Sequence, residues 1–185
     1  MAGTCKAATG LTFSCTDLLK VGGTAPFFWI GYKSDLATQI SLLQSADINT
    51  LSFLSYGGLR RMEGNKFEHS AGYTMNEVAG GNKNYTHTVA VKVISDSTAD
   101  DVILQNFSLG NDMFIIVPDG NEKIFIYGAG AGLRVSANTQ NTGQTGDSDT
   151  TYQVTFEGTE KTMPLRFEKA GGYSASLTYL QSVEI

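Results

Sequence analysis

Charge is scarce in this chain. Lys, Arg, Asp and Glu make up 17% of its 185 residues, against about 25% in ordinary globular domains. Basic residues are the scarcer sign, 13 against 18 acidic, for a formal net charge of −5. Without a Lys/Arg surplus few phosphates can be neutralised, which argues against stable nucleic-acid binding. The same acidity would let DNA slide past without sticking. Cysteine is nearly absent. Cys5 and Cys15 form no Cys-x-x-Cys pair and no Cys/His cluster of zinc-finger spacing. The two histidines, His69 and His87, fall on what read as neighbouring strands. A hairpin turning near Gly80-Gly81 would set His69 opposite about residue 91 and His87 opposite about residue 73, too far offset to share a metal. The longest apolar stretch, Pro26 to Ile30, is far too short to span a membrane. The start, Met1-Ala2-Gly3-Thr4-Cys5-Lys6, lacks the basic region, apolar run and cleavage site of a secretory signal. Residence in a cytosol is therefore expected, where a Cys5–Cys15 disulfide is not.

What remains is a chain rich in Ser, Thr, Asn, Gln and Gly, of a length that suits one domain over residues 1–185. That composition fits either a β-rich domain with uncharged polar faces or a protein that covers much of itself with its own copies. The acidic excess is uneven, because every net negative charge falls after Lys66.

The region before Gly23, punctuated by Gly10 and Gly22-Gly23, reads as an N-terminal arm. Pro26 to Tyr32 is aromatic and bounded by turn formers, which predicts a strand. Further strands are expected near Gln39–Leu43, Thr50–Leu54 and Lys66–Thr74. Tyr85 to Val93 alternates most clearly and predicts a half-buried strand with one polar face. The intervening Asn76-Glu77-Val78-Ala79-Gly80-Gly81-Asn82-Lys83-Asn84 reads as too long for a tight turn and should project as a loop or extended hairpin tip. Ser97 opens the one convincing helix, with Asp100 and Asp101 in its first turn and Ala99, Val102, Ile103 and Phe107 at helical spacing. Pro118-Asp119-Gly120-Asn121 between Met113–Val117 and Lys123–Tyr127 is a strong hairpin signal. Leu133–Ala137 and Thr151–Glu157 read as strands, and Asn138–Asp149 as loop. Tyr173–Ile185 reads as a late strand or a docking arm. Eight or nine short strands and one helix imply a mainly β sandwich or barrel with a helix on its flank.

No motif carries catalysis. Gly128-Ala129-Gly130-Ala131-Gly132 follows a strand, but the next segment, Leu133-Arg134-Val135-Ser136, reads as strand where a dinucleotide fingerprint needs a helix. A Gly-rich bend between two strands accounts for it better. No Gly-x-Ser-x-Gly is present. Asp147 and Asp149 lie in a polar loop with too few oxygen ligands for calcium. Arg60-Arg61, the only basic doublet, reads as solvated. Phe27, Phe28, Trp29 and Tyr32 fit a core or subunit interface better than an exposed platform for sugars. The expectation is a protein that is not an enzyme and takes no cofactor.

The order of features resembles the major tail tube proteins of long-tailed phages, particularly those in prophages of Bacteroidetes bacteria. The resemblance is carried by Cys15, Gly22-Gly23 and the aromatic strand Phe27–Tyr32. Lys66-Phe67-Glu68, the Met75–Asn84 loop, the Tyr85–Val93 strand, the helix from Ser97 and Phe114–Val117 continue it. Ile126-Tyr127-Gly128, Gly132-Leu133-Arg134-Val135, Thr142–Asp147 and Tyr152–Gly158 complete it, ending near Pro164. It implies a tail-tube-like sandwich or barrel with one flanking helix and an extended loop; residues 1–23 read as an N-terminal arm, and 166–185, beyond the resemblance, as a C-terminal docking arm peculiar to this chain. It further implies hexameric rings that stack into a tube in the virion tail, after synthesis in the bacterial host cytoplasm. Other tail proteins would be partners, DNA would pass through the lumen without specific binding, and no membrane anchor is implied. Asn76, Glu77, Val78, Gly80, Gly81, Asn82, Lys83 and Asn84 would form the contact between rings. A head–tail connector or completion protein, or a capsid decoration protein, would share this composition. From another class, a carbohydrate-binding β sandwich would require Trp29 exposed.

Overall fold

Alternation along Tyr85–Val93 becomes a strand buried on one side: His87, Val89 and Val91 are buried, while Thr86, Thr88, Ala90 and Lys92 between them are not. This is the period-two rule applied to a sheet with one covered face. The computed structural model describes residues 23–40, 48–64, 68–78, 80–94, 98–141 and 151–185. In chain order the elements are β1 (Phe27–Tyr32), a 3-10 turn (Lys33–Asp35), β2 (Arg60–Glu63), β3 (Ser70–Val78), β4 (Asn82–Ile94) and α1 (Thr98–Leu109). They continue with β5 (Met113–Pro118), β6 (Ile124–Tyr127), β7 (Arg134–Asn141), β8 (Thr151–Glu160), β9 (Leu165–Phe167) and α2 (Gly172–Ser182).

Two antiparallel sheets result, β2-β1-β5-β6-β9 and β3-β4-β8-β7. The mainly β class expected from the sequence holds. One core lies between the sheets, built from Phe28, Ile30, Ile115, Val117 and Tyr127 on one side and Val89, Val91, Val154 and Phe156 on the other, with Phe107 of α1 joining it. A second core covers the far face of the five-stranded sheet, where Trp29, Phe114, Ile116, Ile124 and Ile126 meet Leu36, Leu51, Leu59 and Leu180. Burial on both faces explains why Met113–Pro118 is buried at every position and reads as an unbroken apolar run. The Pro118-Asp119-Gly120-Asn121 hairpin forms as expected, with Pro118 opposite Ile124 and the Asp119 carboxylate accepting the Asn121 and Lys123 N–H groups at 2.9 and 2.7 Å.

Several expectations are corrected. Thr50–Leu54 is no strand; it contributes a single bridge, Phe53 to Leu36. Gln39 and Ile40 are not in a strand either, and the rest of that segment lies outside the described residues. The strand expected at Lys66–Thr74 begins at Ser70 and runs on to Val78. Asn138–Asn141, expected as loop, continue β7 along β8 past a bulge at Val135/Ala137, and the rest of that expected loop lies outside the described residues. Of the expected apolar face of α1, Phe107 is buried, while Val102 and Ile103 are about half exposed. The Ser97 cap, Cys5, Cys15, Asp147, Asp149 and residues 1–22 of the N-terminal arm lie outside the described residues.

The largest correction is at the C-terminus. Residues 166–185, expected as an arm, begin inside the five-stranded sheet as β9 and continue as α2, a second helix beside the expected one. Tyr173, Leu177, Leu180 and Val183 turn toward the second core. Leu59 accepts and donates backbone bonds to Ile185 and Val183, and Trp29 Nε1–H donates to Glu184 Oε1 at 2.7 Å.

Candidate assembly surface

The residues expected to project as a loop or an extended hairpin tip form the end of a regular hairpin. Asn76 faces Asn84, Glu77 faces Lys83 and Val78 faces Asn82 across the β3–β4 ladder, with Gly80 and Gly81 in the turn beyond. The turn is tight because Gly80 and Gly81 sit at φ 97° and 78°, a left-handed backbone that side chains with a Cβ rarely adopt. The register also sets Tyr73 opposite His87, as the sequence predicted. The ladder from β4 to β8 stops at Tyr85–Glu160. The last three pairs of the hairpin therefore project roughly 10 Å beyond the sheet, at about 3.4 Å per residue. Residues 76–78 and 80–83 are exposed and Asn84 is half-buried, with Asn76 Nδ2 donating to Thr86 Oγ1 at 2.8 Å. Glu77 opposite Lys83 is a favourable cross-strand pair of opposite charge.

At the hairpin's base the core-facing side of β3 outruns the core. Tyr73 and Met75 are 48% and 50% exposed, and Met163 beside them 39%. The Tyr73 and Tyr85 rings meet edge to face at 5.9 Å, and the Tyr73 hydroxyl donates to Met163 Sδ at 3.2 Å. These apolar residues were not singled out in the sequence. The alternation Ala71, Tyr73, Met75 was legible there, but it could not say that the covering layer ends at Ala71.

The other side of the four-stranded sheet is mostly polar, with Ala90 of β4 and Ala137 of β7 as apolar members. The registers bring to it Ser70, Thr74 and Asn76 of β3, Thr86, Thr88 and Lys92 of β4, Gln153, Thr155, Glu157 and Thr159 of β8, and Arg134 and Thr139 of β7. None of these is buried, and the charges are two basic against one acidic. Strands β3 and β7 bound the sheet, and neither has a second strand partner among the described residues.

Candidate residues for chemistry are drawn into structural roles. Trp29 is 0% exposed, which removes the aromatic platform a sugar-binding sandwich would need. Arg60 and Arg61, expected to be solvated, belong to β2. Arg60 lies over Tyr32 and pairs with Asp35, and Arg61 lies over Phe27 and pairs with Glu63. The glycine run 128–132 is the expected bend between strands. Its Gly128 takes φ 75°, and a Cβ there would lie 2.5 Å from Leu133 Cγ. The bend is pinned by the Glu160 carboxylate, itself buried, which accepts the Ala131 and Gly132 N–H groups at 2.9 and 3.0 Å. Lys33 Nζ donates to the Gly130 carbonyl from the other side.

Both histidines are buried and each accepts a backbone N–H at Nδ1, from Gly128 for His87 and from Lys92 for His69, both at 3.2 Å. Burial lowers the pKa of each below the ordinary imidazole value; the Thr162 carbonyl and Glu160 charge oppose this at His87, and the Pro26 carbonyl and Glu68 charge at His69. Among the described residues no three His, Cys, Asp or Glu side chains cluster as metal ligands, and no helix is long and apolar enough to cross a membrane. No protein-family model matches the chain, and no curated protein or solved structure matches it.

Proposed function

We propose that the chain is a structural, non-catalytic virion protein, a tail-tube subunit that closes into hexameric rings and stacks them around a channel for DNA. One observation carries the reading. The four-stranded sheet is covered on one face by its own core, mostly polar with two basic and one acidic side chain on the other, and unpaired along both long edges among the described residues. All its neighbours are antiparallel, so β3 and β7 run in opposite directions. Joining the β3 edge of one copy to the β7 edge of the next therefore continues an antiparallel sheet. That contact is head to tail, and a head-to-tail contact closes into a ring when the rotation per copy permits.

Sixfold closure, taken from the family resemblance, gives a wall of roughly two dozen strands. At about 4.8 Å between strands and a tilt near 40°, its backbone diameter is roughly 45–50 Å. Side chains reduce the lumen to roughly 35–40 Å, wider than a DNA duplex. Hydroxyls and amides on that wall keep it hydrated without offering a dense array of cations to phosphate. The projecting 76–84 hairpin and the apolar base of Tyr73, Met75 and Met163 are then the contacts between rings. The protein would work in the virion tail with other tail proteins, after synthesis in the host cytoplasm.

The test is negative-stain electron microscopy of the purified protein across concentration and salt. Hollow tubes or stacked rings are expected. Single rings that never stack would make it a connector or completion protein, and monomers under every condition would overturn self-assembly.

A further inference from the structure

Outside the assembly surface, His87 joins the two sheets through a single ring. It belongs to β4 of the four-stranded sheet and is 1% exposed. Its Nδ1 accepts the N–H of Gly128 at 3.2 Å, at the end of β6 in the five-stranded sheet. Its Nε2–H donates to the Thr162 carbonyl at 2.9 Å, in the link from β8 to β9. Both nitrogens are committed, one as acceptor and one as donor, so only the neutral Nε2–H tautomer satisfies the site. A second proton would set Nδ1–H against the Gly128 N–H, two donors facing each other in a buried place. The groups facing the ring from the packed elements are Tyr73 of β3, Tyr127 of β6, the Glu160 carboxylate of β8 and the Thr162 carbonyl. Only Glu160 favours the imidazolium by charge, and its oxygens are already engaged by the Ala131 and Gly132 N–H groups.

We propose that His87 is an acid-released latch: proton uptake on its ring frees the Gly128–Gly132 bend and loosens the start of β7, the edge strand that this bend leads into. The inference about the bend stands whether or not the chain assembles; only the consequence for assembly at the β7 edge rests on the tube reading.

The sign follows from linkage. Burial holds the latched imidazole below the ordinary value of 6.5, whereas in the open bend it titrates normally. Above about pH 6.5 both forms are neutral and latching is independent of pH. As pH falls below that value, the open form takes up the proton first and the latch weakens by up to about tenfold per pH unit. The change levels off once pH passes below the latched value.

Hydrogen exchange read by mass spectrometry, corrected for intrinsic rates, tests this between pH 7.5 and 5.0, a window above the ordinary carboxylate range. Peptides covering 124–134 should lose protection progressively below pH 6.5, by up to about tenfold per pH unit, while those covering Ile115–Val117 in β5 keep theirs. In His87→Gln, whose side chain does not titrate, protection of the bend should be flat with pH; His69→Gln should leave the wild-type pH dependence in place. Constant protection in the wild type would overturn the latch. So would a parallel loss in β5, which would mean global opening, or a pH dependence surviving in His87→Gln. Should His87→Gln not fold, the wild-type comparison of bend against β5 decides alone, together with the His87 ring titration followed by NMR. A ring that titrates with no change at the bend would also overturn it.

Discussion

Replacing Asn76–Asn84 by an Asn-Gly dipeptide should abolish tubes while leaving a folded subunit. Met75 and Tyr85 are directly opposite in the β3–β4 register, so a two-residue type I′ turn can join them without shifting any pair below. Residues 76–78 and 80–83 are exposed, Asn84 is half-buried and none of these eight belongs to either core. Surface changes of this kind alter stability by less than about 1 kcal/mol. The thermal midpoint should therefore stay near wild type, and microscopy should show monomers or single rings. Loss of tubes with an unchanged midpoint would assign the hairpin to ring stacking. Normal tubes would remove it from the proposed assembly and leave the β3 and β7 edges as its only support.

The opposite result is expected at the other end of the chain. Leu180→Ala should lower unfolding free energy by about 2–5 kcal/mol, the range for emptying a buried leucine site. Leu180 is 0% exposed within the second core. Truncation after Glu168 should go further and abolish cooperative unfolding. It removes Leu180, the Tyr179 ring stacked on Phe167 at 5.8 Å, and the Tyr179 hydroxyl that both accepts the Leu51 N–H and donates to its carbonyl. It also leaves the buried indole N–H of Trp29 without its Glu184 acceptor, and an orphaned buried donor costs about 1–3 kcal/mol by itself. Urea unfolding distinguishes the cases. A loss below about 1 kcal/mol for Leu180→Ala would mean that α2 contributes little to the second core.

That segment shows where reading the chain fell short. Tyr173, Ala175, Leu177 and Tyr179 offer a period-two series that mimics a strand. The helical series is Tyr173, Ser176, Leu177 and Leu180, and it is hidden because one buried position is a serine. Ser176 tolerates burial because its hydroxyl accepts the Lys169 N–H and donates to the Gly172 carbonyl, each at 2.9 Å. Such local bonds depend on the helix already being formed, and periodicity does not encode them. Arg60-Arg61 were read incompletely for a related reason: each side chain stays about a third exposed, but Tyr32 and Phe27 of the neighbouring strand lie beneath them.

Where local chemistry is sufficient, the sequence was a reliable guide. The Tyr85–Val93 and Thr151–Glu157 strands, the hairpin at Pro118–Asn121, the glycine bend at 128–132 and the β3–β4 register all follow from alternation and turn residues. What alternation reports is the side of a strand on which a residue lies. It does not report what covers that side. Tertiary packing alone decided that the five-stranded sheet is covered on both faces, that Tyr73 and Met75 extend past the core while Val89 and Val91 stay within it, and that both histidines are buried as neutral ties. Each of those facts depends on where a second layer begins and ends, and that boundary is set by residues far away in the chain.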